Sequence, residues 1–533
     1  MNFLKEKSIY FILFFTFLFF IQGVVKLPVM DRDEARFATA SKTMMETKNF
    51  IDIKMQDEVR YKKPVGIYWL QSISNYFFGE PPYDEIWVYR LPSIIGVILS
   101  IFFIYNFVRK EYGYKDAILC VFFLILPILT ISEVHQAKTD GFLFLTVVTS
   151  NLILVKGLKN NSLSLTNKLF FWGISAIGVL IKGPIIFVFT ILPLCVLSIL
   201  KKKNYFKVIW TITGFLLFIL ISIPWFIVIT ILSDGLFWHE SAVNDLLNKV
   251  KSGQESHGFP PGYYSILMLL MFWPGVIFIP ILLKKIFKNF KISFLKKDYE
   301  IFIFLWFVVP LILYELIPTK LPHYIFPSYA ALSILLSSIT EKNNFHGITQ
   351  KFSFFILCFY PIFFLVTQIF VVHEYSEIDR NLWLITFLGI CAIVILIINF
   401  YKKNIFRLIV SACLFQSIVY FSAVYYLIPK LEMLWISEKI SSFIDSKIKD
   451  FDKVLLYGFN EPSLIFLTSH KAIQKNITDY DLKKDEKILY IVTNKHSNFI
   501  KENSFNEFKL IENFEGFNYS QGKKVEINFF ENQ

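Results

Sequence analysis

The stretch SIYFILFFTFLFFIQGVV, residues 8–25, carries no charged side chain. Wound as an α-helix, a stretch of this length crosses a hydrocarbon core of about 30 Å, because it satisfies its backbone polar groups internally while offering only apolar surface. Lys5 and Lys7 precede it and no small-residue cleavage motif follows, so it reads as a retained first span and not a secretory leader. Similar runs recur as far as residues 408–428, about thirteen in all. With 55% hydrophobic and 18% aromatic residues in a chain of 533, the fold class is a polytopic α-helical membrane protein, and a soluble globule is excluded.

A formal charge of +12 would suggest a nucleic-acid partner for a soluble chain. Here the surplus Lys and Arg fall in the short loops 1–7, 108–115, 156–168, 201–207, 284–297, 341–351 and 402–407, while loops of the opposite phase carry few. This positive-inside pattern places the N-terminus and these loops in the cytoplasm, and no nucleic acid is expected. The five cysteines, Cys120, Cys195, Cys358, Cys391 and Cys413, lie within apolar segments and read as packing residues.

Residues 1–429 are read as the membrane domain. Three segments on the outer side are too long or too polar to be connectors: 26–85, 232–262 and 430–533. The last alternates apolar runs (KVLLYGF, 453–459; KILYIVT, 487–493) with charged stretches. It is expected to be a small α/β soluble domain in the periplasm.

In the first outer segment, MDRDEARFAT (30–39) sets Asp31 three residues before Glu34. The pair reads as a capping box, Asp31 the N-cap and Glu34 reaching back, opening an amphipathic helix over 33–46 at the bilayer surface. That explains two of the acids and leaves Asp33 without a structural task, with Arg36 one turn on. In RYKKPVGIYWLQS (60–72), Lys63 precedes Pro64 at a helix start, where free backbone N–H groups attract anions. Lipid headgroups are the alternative partners of Arg60, Lys62 and Lys63. EVHQAKTDGF (133–142) brings Glu133, His135, Lys138 and Asp140 to the rim of a span, where ionisable residues are costly and functional by default.

In the 232–262 loop, Gly253, Gly258, Pro260, Pro261 and Gly262 argue against a continuous helix. His239, Glu240, Glu255 and His257 are metal-ligating residue types without a compact motif. No metal site is assigned, and a divalent cation there is the alternative to loop hydrogen bonding. YELIPTKLPHYIFPSY (314–329) packs Glu315, Lys320, His323 and Tyr324 into a turn between spans. On this topology Asp33, Arg36, Lys63, Asp140, His257 and Lys320 share one membrane face.

Taken in this order, the motifs resemble the polyprenyl-phosphate-sugar branch of the GT-C glycosyltransferases, specifically the ArnT-like enzymes related to protein O-mannosyltransferases. RDEARFA (32–38), YKKPVGIYW (61–69), AKTDG (137–141), SGQESHGFPPGYY (252–264) and PTKLPHYIFPSY (318–329) carry the resemblance, which extends over nearly the whole chain. It implies a GT-C-like fold of about thirteen spans with an outer soluble domain. It also implies Asp33 as the catalytic carboxylate with Glu34 beside it, and Asp140 as a second acid of the same cavity. Arg36 and Lys63, with Lys320 as a third cation, would hold the donor phosphate. Tyr61, Glu255, His257, His323 and Tyr324 would line the cavity, and no cofactor is required. Where the family commonly has Tyr after the Arg, this chain has Phe37.

The implied activity is inverting transfer of a sugar from undecaprenyl phosphate to an envelope acceptor such as lipid A. The sugar would be 4-amino-4-deoxy-L-arabinose or another pentose or hexose, and the site the periplasmic face of a bacterial inner membrane. The alternative is a polytopic lipid or solute transporter using the same charged outer cavity. A transporter predicts charged or broken segments near the midplane of several spans, whereas these charges gather at one face.

Overall fold

Every expected apolar run is helical in the computed structural model, which describes residues 2–253, 257–289, 297–340, 345–475, 486–494 and 508–532. Helix α1 (Asn2–Lys26) leads through a short turn into α2 (Asp33–Thr47), the hairpin strands β1 (Lys54–Met55) and β2 (Glu58–Val59), and α3 (Gly66–Phe78). The bundle continues with α4 (Ile86–Glu111), α5 (Tyr114–Ile125), α6 (Ile128–Val134), α7 (Asp140–Asn160), α8 (Leu165–Lys182), α9 (Ile185–Phe189), α10 (Ile191–Lys201) and α11 (Ile212–Leu232). Next come α12 (Leu236–Trp238), a π-helical stretch over His239–Leu247, and α13 (Asn248–Lys251). The expected shaped loop is therefore helical in its first half, and the Gly/Pro-rich part follows where helix stops.

The remaining helices of the bundle are α14 (Tyr263–Met271), α15 (Ile279–Asn289), α16 (Asp298–Leu316), α17 (Tyr329–Thr340), α18 (Gly347–Tyr375), α19 (Arg380–Tyr401), α20 (Ile405–Ser422) and α21 (Ile428–Lys430). Among the described residues, 9 helices are long and apolar enough to cross a membrane, or up to 11 if two bent pairs each count as one. The pairs are Tyr114–Ile125 with Ile128–Val134, bent by 65°, and Tyr263–Met271 with Gly275–Ile286, bent by 115°. Pro127 and Pro274 sit at the two breaks, where a residue without an N–H interrupts the helical ladder. The runs expected near 184–200 and 326–340 form shorter helices, α9 with α10 and α17.

The C-terminal domain comprises α22 (Ile436–Lys447), β3 (Lys453–Tyr457), α23 (Pro462–Thr468), β4 (Ile473–Lys475), β5 (Ile488–Thr493), β6 (Phe508–Asn518) and β7 (Lys523–Asn532). The sheet runs β4–β3–β5–β7–β6. β3 is parallel to β4 and β5, and β7 is antiparallel to β5 and β6. β5 is buried at every position, as expected of a strand covered on both faces. Ile436, Ile440 and Ile444, one helical turn apart on α22, pack on Val454, Leu456, Leu489 and Phe529 to form the core of this domain.

Two expectations about the first outer segment are corrected. Asp31 does not cap α2: Arg32 holds the N-cap position with φ 67° and ψ −113°, Glu34 Oε2 accepts from the Met30 N–H at 2.9 Å, and Asp31 Oδ1 accepts from the Ser463 N–H at 3.0 Å. Nor does α2 keep an open polar face. Its residues from Glu34 to Met45 are buried apart from Arg36, because α23 covers the side that would otherwise meet water. α3 does remain amphipathic, exposing Ile73, Tyr76, Phe77 and Phe78.

Candidate active site

Helix ends and turns at one end of the bundle enclose a cavity of about 730 Å³. Its polar lining comes from Asp33 at the start of α2, Arg60, Lys62 and Lys63 before α3, and Lys138, Thr139 and Asp140 at the start of α7. Lys182 at the end of α8, Asp245 and Lys249 on the 236–251 helical segment, and His323 and Tyr324 after α16 add to it, with Thr230 and Ser241. Six basic side chains face three acidic ones in this lining, a surplus that suits a phosphate-bearing ligand. The opposite wall is apolar. Ile223, Ile227 and Ile231, one turn apart on α11, line the cavity and are 37%, 55% and 70% exposed, on a span that is itself little buried. The cavity is thus open sideways, along a helix that would face acyl chains.

The polar side is a connected set of ion pairs. Lys182 Nζ donates to Asp140 Oδ1 at 2.6 Å, and Thr139 Oγ1 donates to Asp140 Oδ2 at 3.2 Å. Lys138 Nζ lies 2.9 Å from Glu133 Oε1 and 3.4 Å from His323 Nδ1, while His323 Nε2 is 3.9 Å from Asp140 Oδ2. A ring that accepts from an ammonium at Nδ1 carries its proton on Nε2, here turned toward Asp140. Burial, reinforced by Lys138 and Lys182, lowers the His323 pKa and keeps the ring neutral. Lys63 is ion-paired to Asp245, whose Oδ1 accepts from Lys249 at 2.7 Å. Arg60 lays its guanidinium over Phe37, 5.3 Å from the ring centre, and its buried Nε has no hydrogen-bond partner among the described residues.

Asp33 opens into this cavity and forms no ion pair with another described residue. Burial acts to raise its pKa, but the fields of His323, in the acidic range where that ring is protonated, and of Lys138, Arg60 and Lys63 outweigh that effect and lower it. With His323 neutral near pH 7, Lys138, Arg60 and Lys63 supply the field. The result is an ionised carboxylate held by charge and left free to meet a ligand.

Of the residues expected from sequence, Asp33, Lys63, Asp140, His323 and Tyr324 line the cavity together. Glu34 does not; it is sealed against Arg90. Arg36, half-buried on α2, lies outside the lining. Lys320 caps the C-terminus of α16, its Nζ donating to the carbonyls of Tyr314 (3.2 Å), Glu315 (2.8 Å) and Ile317. Tyr61 is buried, and its hydroxyl donates to Asp52 Oδ1 at 2.7 Å. The His257 carbonyl accepts from the Lys320 N–H at 2.9 Å, and its side chain does not line the cavity. Glu255 lies outside the described residues. His239 is exposed beside Glu240, and no group of three or more metal-ligating side chains gathers among the described residues.

Sequence reasoning gave too little weight to Arg60, Lys138, Lys182, Asp245 and Lys249. Lys182 had a legible signal, a cation ending an apolar run before the Gly183–Pro184 stop. Asp245 and Lys249 are an i, i+4 pair, visible only once helix is assigned there.

Residues 62–227 match the family model described as dolichyl-phosphate-mannose-protein mannosyltransferase (PMT_2). The chain is 28% identical over 357 residues to an uncharacterized protein of Aquifex aeolicus (strain VF5), covering 66% of this chain and 79% of that one. It is 23% identical over 310 residues to undecaprenyl phosphate-alpha-4-amino-4-deoxy-L-arabinose arabinosyl transferase 2 of Proteus mirabilis (strain HI4320), covering 57% of this chain and 54% of the relative. The match thus spans about half the length of that transferase. In structure, the chain resembles the crystal structure of ArnT from Cupriavidus metallidurans bound to undecaprenyl phosphate, with a TM-score of 0.75 at 13% identity over 98% of both chains. Its apo form gives 0.72 over 96% of both chains. The chain is thus similar to the mannosyltransferase family model over residues 62–227 and shares the fold of the ArnT crystal structures over nearly its whole length.

Proposed function

We propose that this protein transfers a sugar from a polyprenyl phosphate, undecaprenyl phosphate in a bacterial membrane, to an envelope acceptor such as lipid A. The observation that carries the reading is one cavity with two characters: a free carboxylate, Asp33, facing a surplus of cations, and an apolar wall on α11 open to the side. A lipid-linked donor needs both, a lateral path for its chain and fixed positive charge for its phosphate. The donor sugar is 4-amino-4-deoxy-L-arabinose or a similar pentose or hexose, and the reaction runs on the periplasmic side.

An acceptor oxygen attacks the anomeric carbon, its C–O bond to the donor phosphate breaks, and the polyprenyl phosphate leaves with the electron pair. The configuration inverts. The donor phosphodiester carries one negative charge and the departing monoester develops a second, so cations already in place lower the barrier. Lys63 and Arg60 take this role in the proposal, with Lys138 and Lys182 in the same lining. If the acceptor is a hydroxyl, its proton passes to Asp33; if it is an anionic phosphate, Asp33 orients it. Asp140, held by Lys182, shapes the same site. The residues do not require a metal for this chemistry, since lysine and arginine meet the leaving charge.

A transporter reading gains no support from the layout, because the cavity charges sit at the ends of the long apolar helices and in the segments between them. The test is transfer from undecaprenyl-phosphate-linked sugar in purified protein, coupled to mass spectrometry of lipid A and envelope glycans with and without the gene. Loss of one sugar mass, and an Asp33→Asn variant that binds undecaprenyl phosphate without turnover, are expected. Full turnover by Asp33→Asn refutes the assignment.

A further inference from the structure

Four consecutive residues leading into α2 are held by the C-terminal domain or by their own helix. The Val29 N–H donates to Glu438 Oε1 at 3.3 Å and the Met30 N–H to Glu34 Oε2 at 2.9 Å. The Asp31 N–H donates to the Tyr519 hydroxyl at 2.7 Å, while its Oδ1 accepts from the Ser463 N–H at 3.0 Å. Arg32 Nη2 donates to the Ser520 carbonyl. Arg32 has φ 67°, a conformation that costs energy for a side chain of this size and persists only where surroundings enforce it. Asp33 comes next.

The enforcing surface is itself braced. Glu461, just before α23, accepts from Asn518 Nδ2 at 2.7 Å, Ser520 Oγ at 2.8 Å and Gln521 Nε2 at 2.8 Å. The β6–β7 turn and the start of α23 are therefore tied together where they meet Asp31 and Arg32. Further along, buried Lys42 of α2 donates to the Phe466 carbonyl of α23 at 2.9 Å, so α2 and α23 are tied at both ends. These contacts reach the two residues before Asp33, and none of Asp31, Arg32, Ser463 or Tyr519 lines the cavity.

We propose that the C-terminal domain sets the position of Asp33, with Asp31 as the positioning residue through which it acts. This rests on the reading of Asp33 as the working carboxylate. A displacement of about 1 Å in a reacting group costs on the order of 10²-fold in rate, so the contact matters to turnover before it matters to donor binding.

The test compares Asp31→Ala, Asp31→Asn, Tyr519→Phe and Asp33→Asn in full-length protein in nanodiscs. The substrates are undecaprenyl-phosphate-linked 4-amino-4-deoxy-L-arabinose and lipid A, and hydrogen exchange of amides 31–36 is followed in parallel. Asp31→Ala is expected to lower kcat at least about ten-fold with donor KM within about two-fold, and to speed exchange over 31–36. Asp31→Asn keeps the Oδ1 acceptor and is expected to restore kcat to within about three-fold of wild type. Wild-type kcat in Asp31→Ala, beside an inactive Asp33→Asn, overturns the inference; turnover by Asp33→Asn overturns the functional reading instead. The exchange arm needs no substrate, and unchanged exchange in Asp31→Ala also overturns the inference. If Asp31→Ala does not fold, Tyr519→Phe takes its place under the same two criteria.

Discussion

Arg90 grips Glu34 with both sides of its fork, Nε to Oε1 at 2.8 Å and Nη2 to Oε2 at 2.7 Å, and both side chains are buried. Nη1 also donates to the carbonyls of Val24 (2.9 Å) and Leu27 (2.8 Å), and Nη2 to Pro28 (2.7 Å). Glu34 Oε1 accepts the Ala137 N–H at 2.8 Å, so one pair ties the end of α1, the start of α2, α4 and the turn before α7. The two neighbouring acids of the DE motif thus face opposite ways, Glu34 into the scaffold and Asp33 into the cavity.

This division predicts opposite phenotypes. Removing one partner of a buried, fully bonded pair strands the other charge, at a cost of about 3–5 kcal/mol. Glu34→Ala is expected to lose stability on that scale, seen as a lowered Tm in detergent, while Asp33→Asn keeps its Tm and loses turnover. A Glu34→Ala protein as stable as wild type would show that Arg90 finds other partners and that the pair is not structural.

The acid limb of the pH profile follows from the charges around Asp33. Its pKa is held below the usual aspartate range, against burial, by neighbouring positive groups, so the carboxylate is ionised at neutral pH. A proton-accepting role then gives kcat/KM no Asp33 limb between about pH 5 and 8. Lys138→Met removes one of those charges; the Asp33 pKa rises, and activity is lost on acidification at a higher pH than in wild type. A limb that does not move between the two profiles would separate Asp33 from the Lys138 field.

The sequence was most legible where one physical rule acts alone. Apolar runs must be helices in a bilayer, and β5, ILYIVT, announces a buried strand. Asp33 emerged by elimination, since capping chemistry explained its neighbours. That elimination led to a residue that lines the cavity, although the cap itself was misassigned: Asp31 spends its carboxylate on Ser463, 432 positions away, and no local pattern encodes a partner so distant. Lys320 misled for the same reason. A cation between two prolines at the rim looks like a ligand for phosphate, but the carbonyls ending α16 lie within reach and claim all three of its donors. Asp245 was lost because glycines and prolines downstream made the whole loop look irregular.

Lys63 and Lys320 therefore make a controlled contrast. Lys63 lines the cavity with one acidic partner, whereas Lys320 is 1% exposed and bonded to backbone carbonyls. Charge-assisted hydrogen bonds contribute roughly 1.5–3 kcal/mol, so Lys63→Met is expected to raise the undecaprenyl phosphate Kd by about ten-fold or more with little change in Tm. Lys320→Met should lower Tm and leave the Kd of the folded fraction unchanged. Binding measured by competition in nanodiscs decides the matter, and equal effects of the two substitutions on Kd would return Lys320 to the donor site.

Asp245 is the acid that competes with a donor for the same cations. Its carboxylate bridges Lys63 and Lys249, and positive charge on those two lowers its pKa despite burial. A phosphate arriving at Lys63 must share that lysine with Asp245 or displace it, and either costs part of the attraction. Asp245→Asn keeps the side-chain shape and removes the rival charge. The undecaprenyl phosphate Kd is expected to fall by roughly three- to ten-fold, with a steeper rise as salt is added because more uncompensated charge faces the ligand. Binding isotherms of wild type and variant at low and high ionic strength supply the comparison. A weaker Kd in Asp245→Asn would mean that the carboxylate aims Lys63 at the phosphate, making Asp245 a support for the clamp and not its competitor.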